Sequence, residues 1–185
     1  MAVISRQACA ATIFRYNPVM PFKVQVGSPQ VAIHQGQTVL LTEPDGQIAW
    51  PSDKGLYFFD TRLISAWSVY ANGTEWDLLN GGAVNFDSAR IFLTNRAFLT
   101  EDGPIPRQTL AFGLSRVIDQ GMHEDLDITN YGQKPVRFNL EIALRSDFAD
   151  VFDVKAKRDI RRGHINSDWS EARQTLRTTV TGQVS

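Results

Sequence analysis

Cysteine is almost absent from this sequence, and so are the marks of a membrane or secreted protein. The single cysteine, Cys9, cannot form an internal disulfide, which excludes a disulfide-stapled secreted fold. No apolar run approaches the ~20 residues that a membrane-spanning helix needs. Residues 1–12 carry one arginine and no apolar stretch, so they do not resemble a secretory signal. We therefore expect a cytoplasmic protein with no membrane partner.

An excess of charge of either sign is also missing. Lysine and arginine number 19, aspartate and glutamate 20, and the net charge is −1. A nucleic-acid-binding domain would show a basic face, so this balance argues against a nucleic-acid partner. The one basic cluster comprises Lys155, Lys157, Arg158, Arg161 and Arg162, with acidic residues among and before them. Such a cluster is typical of a solvated or interface segment, and a phosphate-binding patch is the alternative.

The signatures of common catalytic sites are lacking as well. The sequence has no Gly-rich phosphate loop, no dinucleotide fingerprint and no Gly-x-Ser-x-Gly elbow. His34, His123 and His164 are scattered, and none pairs with another at the spacing of metal ligands. Cys9 lies in an unpatterned segment, where nothing marks it as an activated nucleophile. The sequence therefore predicts no metal site and no cofactor.

Alternation of apolar and polar residues is the dominant pattern that is present. Asp45-Gly46 separates two short apolar runs, residues 38–42 and 47–50, and therefore predicts a hairpin. Asn72-Gly73 predicts a second hairpin within residues 62–78, because both of its residues tolerate the positive φ angles of a tight turn. Many short strands with regularly spaced turns favour a sandwich or barrel.

Residues 135–145 alternate most cleanly, and one face of this strand is expected to be buried. The inward residues are predicted to be Val136, Phe138, Leu140, Ile142 and Leu144. One buried and one wet face indicates an antiparallel sheet. The fold class is thus predicted to be all-β, an antiparallel β-sandwich with little helix, residues 167–173 being the best short helix candidate. We expect residues 1–25 to form an irregular lead-in and residues 26–185 the sandwich domain.

An acidic segment follows that strand. Asp147, Asp150 and Asp153 recur at every third position, with Phe148 and Phe152 between them. A glycosidase needs two carboxylates ~5–10 Å apart, and this segment could supply such a pair. The alternative is a strand end at which the aspartates cap backbone amides and the two phenylalanines pack.

An aromatic segment precedes the second hairpin. Tyr57, Phe58 and Phe59 are followed by Asp60 and, two residues later, by Arg62. On a single strand Asp60 and Arg62 would share a face. Aromatic rings beside an acid and a guanidinium suit a sugar, since rings stack on its C–H face and charges bind its hydroxyls. A core strand with a structural ion pair is the alternative.

Both segments resemble motifs of one enzyme family. Gly55-Leu-Tyr-Phe-Phe-Asp-Thr-Arg-Leu-Ile-Ser65 resembles the Gly-Leu-Tyr-x-x-Asp-Thr-Arg-x-Leu-Ser motif near the N-terminus of bacterial and archaeal glycogen debranching enzymes, or amylo-α-1,6-glucosidases. Asp147-Phe-Ala-Asp-Val-Phe-Asp-Val154 resembles their Asp-Phe-x-Asp-Leu-Phe-Glu-Val signature. Asp153 and Lys155 depart from the usual Glu and Arg but keep the charge. The resemblance covers most of the chain, from about residue 30 to about residue 160.

The resemblance implies a β-supersandwich domain that packs on an (α/α)6 catalytic domain of the same parent protein, a glycoside hydrolase of carbohydrate metabolism. In that family the (α/α)6 domain holds the catalytic acid and base, so no catalytic residue is expected here. The sandwich is expected to lend a loop to an α-glucan cleft. The substrate-side or interface residues are then predicted to be Tyr57, Asp60, Arg62, Asp147 and Asp150.

Three hypotheses stay open at this point. The first is a non-catalytic domain of an α-glucan hydrolase, inactive alone, for which an unpaired edge strand with a bare apolar patch would speak. The second is a stand-alone carbohydrate-binding or interaction module, with a groove lined by Tyr57, Trp67 or Trp76. The third is a small enzyme that uses Asp147 and Asp150, which would need to converge in a closed cleft.

Overall fold

The computed structural model describes residues 30–158 and 163–182. About 59% of it is strand and 3% helix, and the sheets are antiparallel, which confirms the predicted all-β, sandwich-like fold. The predicted lead-in and Cys9 lie outside the described residues. Within those ranges, no helix has the length and apolar character of a membrane span.

The strands form two main sheets and two small hairpins. In chain order they are β1 (Val31–Gln35), β2 (Thr38–Thr42), β3 (Gly55–Phe58), β4 (Thr61–Ile64), β5 (Ala66–Ala71), β6 (Thr74–Ala83), β7 (Ser88–Asn95), β8 (Phe98–Thr100), β9 (Gly103–Ile105), β10 (Leu110–Ile118), β11 (Met122–Asn130), β12 (Leu140–Arg145), β13 (His164–Ser170) and β14 (Thr175–Thr181), with one short helix, α1 (Val151–Lys155). One sheet runs β1-β2-β3-β4 and the other β11-β10-β7-β6-β5-β12. Strands β8 and β9 pair with each other, as do β13 and β14.

The core lies between the two main sheets. Strand β1 packs across β6, β7 and β10 of the larger sheet. Ile33 of the small sheet and Val69, Ile91 and Phe112 of the large one are completely buried. These residues alternate with more exposed neighbours along their strands, and this alternation is the period-two signal of the sequence.

The Asn72-Gly73 hairpin forms as predicted. Asn72 and Gly73 adopt φ angles of 47° and 71°, and they join β5 to β6 with Ala71 opposite Thr74. Residues 62–70 are nevertheless divided between two sheets, since β4 ends at Ile64 and β5 begins at Ala66.

The Asp45-Gly46 turn is present but does not join two paired strands. The amide of Gly46 donates to the carbonyl of Glu43 at 2.9 Å, as in a tight turn. The chain then crosses to the other sheet, where Ile48 and Trp67 exchange backbone hydrogen bonds of 2.9 and 3.1 Å. The predicted hairpin is therefore wrong, and β2 pairs with β1 and β3 instead.

The helix predicted for residues 167–173 is also wrong. These residues form the end of β13 and the turn into β14. Ser167 of β13 lies opposite Thr178 of β14 in this hairpin. The one helix of the described residues, α1, lies in the acidic segment instead.

The strand predicted for residues 135–145 is shorter than expected, since β12 covers only Leu140–Arg145, and its apolar face is not buried. Leu140, Ile142 and Leu144 lie opposite Ala71, Val69 and Trp67, so they share the core face of the sheet. However, they are 36%, 50% and 42% exposed, because β12 is the sheet's edge and no described residue covers it. Val136 and Phe138 are partly buried and pack against the core.

Candidate functional site

The two motif segments meet at one buried ion pair. Arg62, on β4, donates from Nη2 to Asp147 Oδ2 at 2.5 Å and from Nε to Oδ1 at 3.2 Å. Its Nη1 donates to the carbonyls of Ser52 at 2.7 Å and Lys54 at 3.3 Å. The side chain is 4% exposed and each of its three nitrogens is hydrogen-bonded. A guanidinium engaged in this way positions its surroundings and has few donors left for a ligand.

Backbone hydrogen bonds join the same two segments. The amide of Arg62 donates to Ala149 at 2.9 Å, and the amide of Val151 donates to Asp60 at 2.8 Å. Thr61 and Asp150 form an isolated antiparallel bridge between them. The second motif thus extends the edge of the small sheet beyond β4.

Gly55 explains why the first motif begins with glycine. Its φ angle is 155°, and an added Cβ would lie 2.7 Å from Cδ of Arg62 and closer still to the carbonyl oxygen of Ile64. Any side chain here would displace the arginine stem or the backbone of β4. The glycine therefore permits the close packing that places the Arg62 guanidinium against Asp147.

Tyr57 belongs to the buried part of this site. It is 6% exposed, and its hydroxyl donates to the carbonyl of Asp53 at 2.7 Å. Burial raises the pKa of Tyr57, and the neighbouring Arg62 acts in the opposite direction. Tyr57 is therefore a buried neighbour of Arg62, which lies opposite it across β3 and β4.

Asp60 does not share a strand face with Arg62. The chain turns at Phe59 and Asp60, where Phe59 has a φ angle of 51°, and Tyr57 on β3 lies opposite Arg62 on β4. The single-strand assumption behind the expected Asp60–Arg62 face is therefore wrong, because the segment is a hairpin. Asp60 is exposed in its turn, beside an exposed Phe58–Phe59 pair with ring centroids 4.7 Å apart.

The aspartates of the second motif cap backbone amides. Asp150 accepts from the amide of Phe152 at 2.8 Å and is the N-cap of α1. Asp147 Oδ1 also accepts from the amide of Ala149 at 3.3 Å. The capping interpretation is thereby confirmed for Asp147 and Asp150, whereas Phe152 is 71% exposed and does not pack as that interpretation expected.

A cleft of about 970 Å³ opens above the ion pair. Its walls include Trp50 and Arg145, two residues that the sequence patterns did not single out. The Arg145 guanidinium lies 3.8 Å from the centroid of the Trp50 ring, and that of Arg62 lies 5.6 Å away. Position offers one signal in hindsight, because Trp50 lies shortly before the first motif and Arg145 shortly before the second.

Two further expectations can be placed on the structure. Trp67 and Trp76, proposed for a sugar-binding groove, are each 3% exposed and belong to the core. Among the described residues, no group of three or more His, Cys, Asp or Glu side chains could hold a metal ion.

Comparison with known proteins and protein families places this chain in a family. No curated protein and no solved structure matches this chain. The model of a family described as the N-terminal domain of some glycogen debranching enzymes matches residues 33–185. That range contains both motif segments and the ion pair that joins them. The chain therefore belongs to the family of N-terminal domains found in some glycogen debranching enzymes.

Proposed function

We propose that this domain is non-catalytic, packs on the (α/α)6 catalytic domain of a glycogen-debranching-type glycoside hydrolase, and shapes its α-glucan cleft. The observation that carries the proposal is the apolar row of Leu140, Ile142 and Leu144 on the edge strand β12. In the described part of the chain, no strand pairs with the outer edge of β12 and no residue covers the row. An exposed edge strand with an apolar face invites pairing with another chain or domain, and proteins ordinarily protect such edges.

A second bare face supports the same role. In the β13–β14 hairpin, Ile165 lies opposite Val180 and Trp169 lies opposite Leu176, so these four side chains share one face. Their exposure ranges from 38% for Ile165 to 61% for Trp169. A two-stranded hairpin is at best marginally stable alone in water, so an apolar face of this kind fits a contact with a further domain.

We assign the turn between β3 and β4 to the α-glucan cleft of the parent enzyme. Phe58 and Phe59 are 46% and 59% exposed, and the exposed Asp60 lies beside them. Aromatic rings stack on the C–H faces of sugars, and a carboxylate accepts from their hydroxyls. Asp60 is therefore proposed as a substrate-side residue, whereas Tyr57, Arg62, Asp147 and Asp150 hold the turn in place.

The engagement of the acidic residues supports an inactive isolated domain. Asp147 is paired with the buried Arg62 guanidinium, and Asp150 caps α1. A glycosidase acid and base would both face a cleft with room for a glycosidic bond between them. Of Asp147 and Asp150, only Asp147 lines the cleft above the ion pair.

The packing role is tested by mixing the 185-residue chain with the (α/α)6 domain of its parent protein and measuring association by sedimentation velocity. Ile142→Asp is expected to weaken association by about tenfold or more, since a charge replaces an apolar contact at the centre of the interface. Val84→Asp is the matched control, because Val84 is 72% exposed and lies outside the row. Equal association of both variants would contradict the packing role.

The inactivity is tested in the same preparation. The isolated chain is expected to show no turnover of glycogen, limit dextrin or maltooligosaccharides. Turnover that disappears in Asp147→Asn or Asp150→Asn, in a variant whose circular dichroism shows the fold retained, would contradict the proposal and assign catalysis to this chain.

A further inference from the structure

The cleft above the ion pair carries a concentration of positive charge. Arg145, Lys155, Lys157 and Arg158 all line it. Among the residues that the structure describes, none of these four has a carboxylate within ion-pairing distance. The chain as a whole has a net charge of −1, so the positive cleft is a local feature.

The acidic residues of the cleft do not cancel this charge. Only Asp53 and Asp147 contribute carboxylates to its described lining. Asp147 is already paired with the buried Arg62 guanidinium. The Asp53 carboxylate is thus the only other negative charge in the described lining beside the four cations. The low-dielectric walls of a cleft focus the resulting positive field, which attracts an anion.

Arg145 is held in an orientation that suits ligand binding. Its guanidinium lies 3.8 Å from the centroid of the Trp50 ring. Stacking uses the flat face of the group and leaves its in-plane N–H donors available for a bidentate contact. Because the stack restrains the side chain before a ligand arrives, less conformational entropy is lost on binding.

The size and the remaining lining of the cleft favour a ligand larger than an inorganic anion. A cleft of about 970 Å³ is far larger than a phosphate ion and lies near the upper end of small-molecule sites. Asp53, Ser146 and His164 also line it and carry side-chain groups that can bind hydroxyls. A ligand that combines one strongly charged anionic group with several hydroxyls would use both parts of the lining.

We infer that this cleft binds the phosphate monoester of a sugar. A phosphate monoester carries a charge of about −1.5 to −2 at neutral pH and three acceptor oxygens, which suits Arg145 together with Lys155, Lys157 and Arg158. The hydroxyls of the sugar then bind to Asp53, Ser146 and His164. The cleft shares Arg145 with β12 and Ile165 with the apolar face of the β13–β14 hairpin, but its binding of a sugar phosphate does not require a catalytic domain.

Isothermal titration of the full 185-residue chain tests this site, with glucose 6-phosphate, inorganic phosphate and glucose as separate probes. Glucose 6-phosphate is expected to bind with a dissociation constant below about 1 mM, at least about tenfold more tightly than either of the others. A phosphorylated α-glucan, compared with the same glucan after phosphatase treatment, distinguishes a polymer-borne ester from a free sugar phosphate.

Arg145→Gln and Lys155→Gln are each expected to weaken binding of glucose 6-phosphate by about tenfold, because each removes one charge-assisted contact. Arg107→Gln is the matched control, since the Arg107 side chain is 68% exposed and lies outside the cleft. Circular dichroism of each variant confirms that the fold is retained. Equal weakening by Arg107→Gln, equal affinity for glucose, or no binding at about 10 mM would each overturn the proposal.

Discussion

Asp147 neutralises a guanidinium that the fold buries, so its removal should be costly. Asp147→Asn leaves Arg62 with its charge, 4% exposed and without a carboxylate. Removing one partner of a buried ion pair typically costs about 3–5 kcal/mol of stability. The hydrogen bonds from Arg62 to the Ser52 and Lys54 carbonyls remain in the variant and reduce this loss. We expect the free energy of unfolding in urea to fall by about 3 kcal/mol.

Asp60→Asn is the control for that measurement. Asp60 is exposed in the β3–β4 turn, and its backbone contact to Val151 does not involve the side chain. Its effect should stay within about 0.5 kcal/mol, as for most surface substitutions. Equal losses for the two variants would show that the ion pair does not stabilise the fold as the geometry indicates.

Ionisation of the buried Tyr57 is expected to destabilise the fold at alkaline pH. Burial raises its pKa above the ordinary value of 10.0, so the folded state keeps the proton that the unfolded state loses. The stabilisation is therefore complete below the unfolded pKa and is lost as the pH rises through the folded pKa. Between these two pKa values the free energy of unfolding falls by about 1.4 kcal/mol per pH unit from this group.

The Tyr57→Phe variant separates the pH dependence that Tyr57 adds to stability from that of other groups that titrate at alkaline pH. The variant loses the hydrogen bond to the Asp53 carbonyl, which costs about 0.5–1.5 kcal/mol at neutral pH. The difference in unfolding free energy between the two proteins should narrow as the pH rises from about 9 to about 11, since only the wild type has a phenol to ionise at this position. A difference that stays constant would contradict the assignment.

Arg116 shows what residue-level patterns cannot anticipate. It lies on the buried face of β10, 1% exposed, where alternation alone predicts an apolar side chain. Its Nε donates to Glu124 at 2.7 Å, Nη1 donates to the Gly46 carbonyl, and the guanidinium lies 4.3 Å from the Trp67 ring centroid. Burial lowers its pKa, and Glu124 acts against that change. These partners come from three separate parts of the chain, so no local pattern indicates them.

The Asn72-Gly73 turn gives a prediction at the level of a single hairpin. Gly73 has a φ angle of 71°, and an added Cβ would meet nothing within 4 Å. Gly73→Ala therefore tests the backbone conformation alone, and we expect the free energy of unfolding to fall by about 1–2 kcal/mol. Thermal unfolding followed by circular dichroism measures it.

Gly82→Ala is the matched control for the hairpin prediction. A Cβ at Gly82, on β6, would also meet nothing within 4 Å, but Gly82 does not adopt a positive φ angle. Alanine should be neutral or stabilising there by up to about 1 kcal/mol, because it reduces the freedom of the unfolded chain. A loss in Gly82→Ala as large as that in Gly73→Ala would contradict the role assigned to the positive φ angle.

Local signals predicted some elements correctly, but the Asp45-Gly46 hairpin and the helix at residues 167–173, which were also predicted from neighbouring residues, are wrong. The Asn72-Gly73 hairpin, the strand character of residues 140–145 and the capping role of Asp150 all follow from neighbouring residues. Burial was predicted poorly, because it depends on strand order. Nothing in the alternation of residues 136–144 indicates that β12 would lie at a sheet edge beside β5.

On the scale of the whole molecule, the two motifs are parts of one structure. Arg62 and Asp147 are 85 residues apart in sequence and joined by two hydrogen bonds. The sequence motifs predicted each segment as a separate site, and the family resemblance placed both on one domain. Their contact could not be predicted, because the direction of the β3–β4 turn and the course of the chain after β12 together create it.

The pairing of β5 with β12 also sets an order of events during protein synthesis. Trp67, Val69 and Ala71 leave the ribosome long before their partners Leu144, Ile142 and Leu140. About 70 residues separate the two strands, so at roughly 5–20 residues per second the β5 edge waits for several seconds. For that interval the nascent chain presents an unpaired strand with an apolar inner face. The step most open to intermolecular error is thus the arrival of β12, the last strand of the larger sheet to be synthesised.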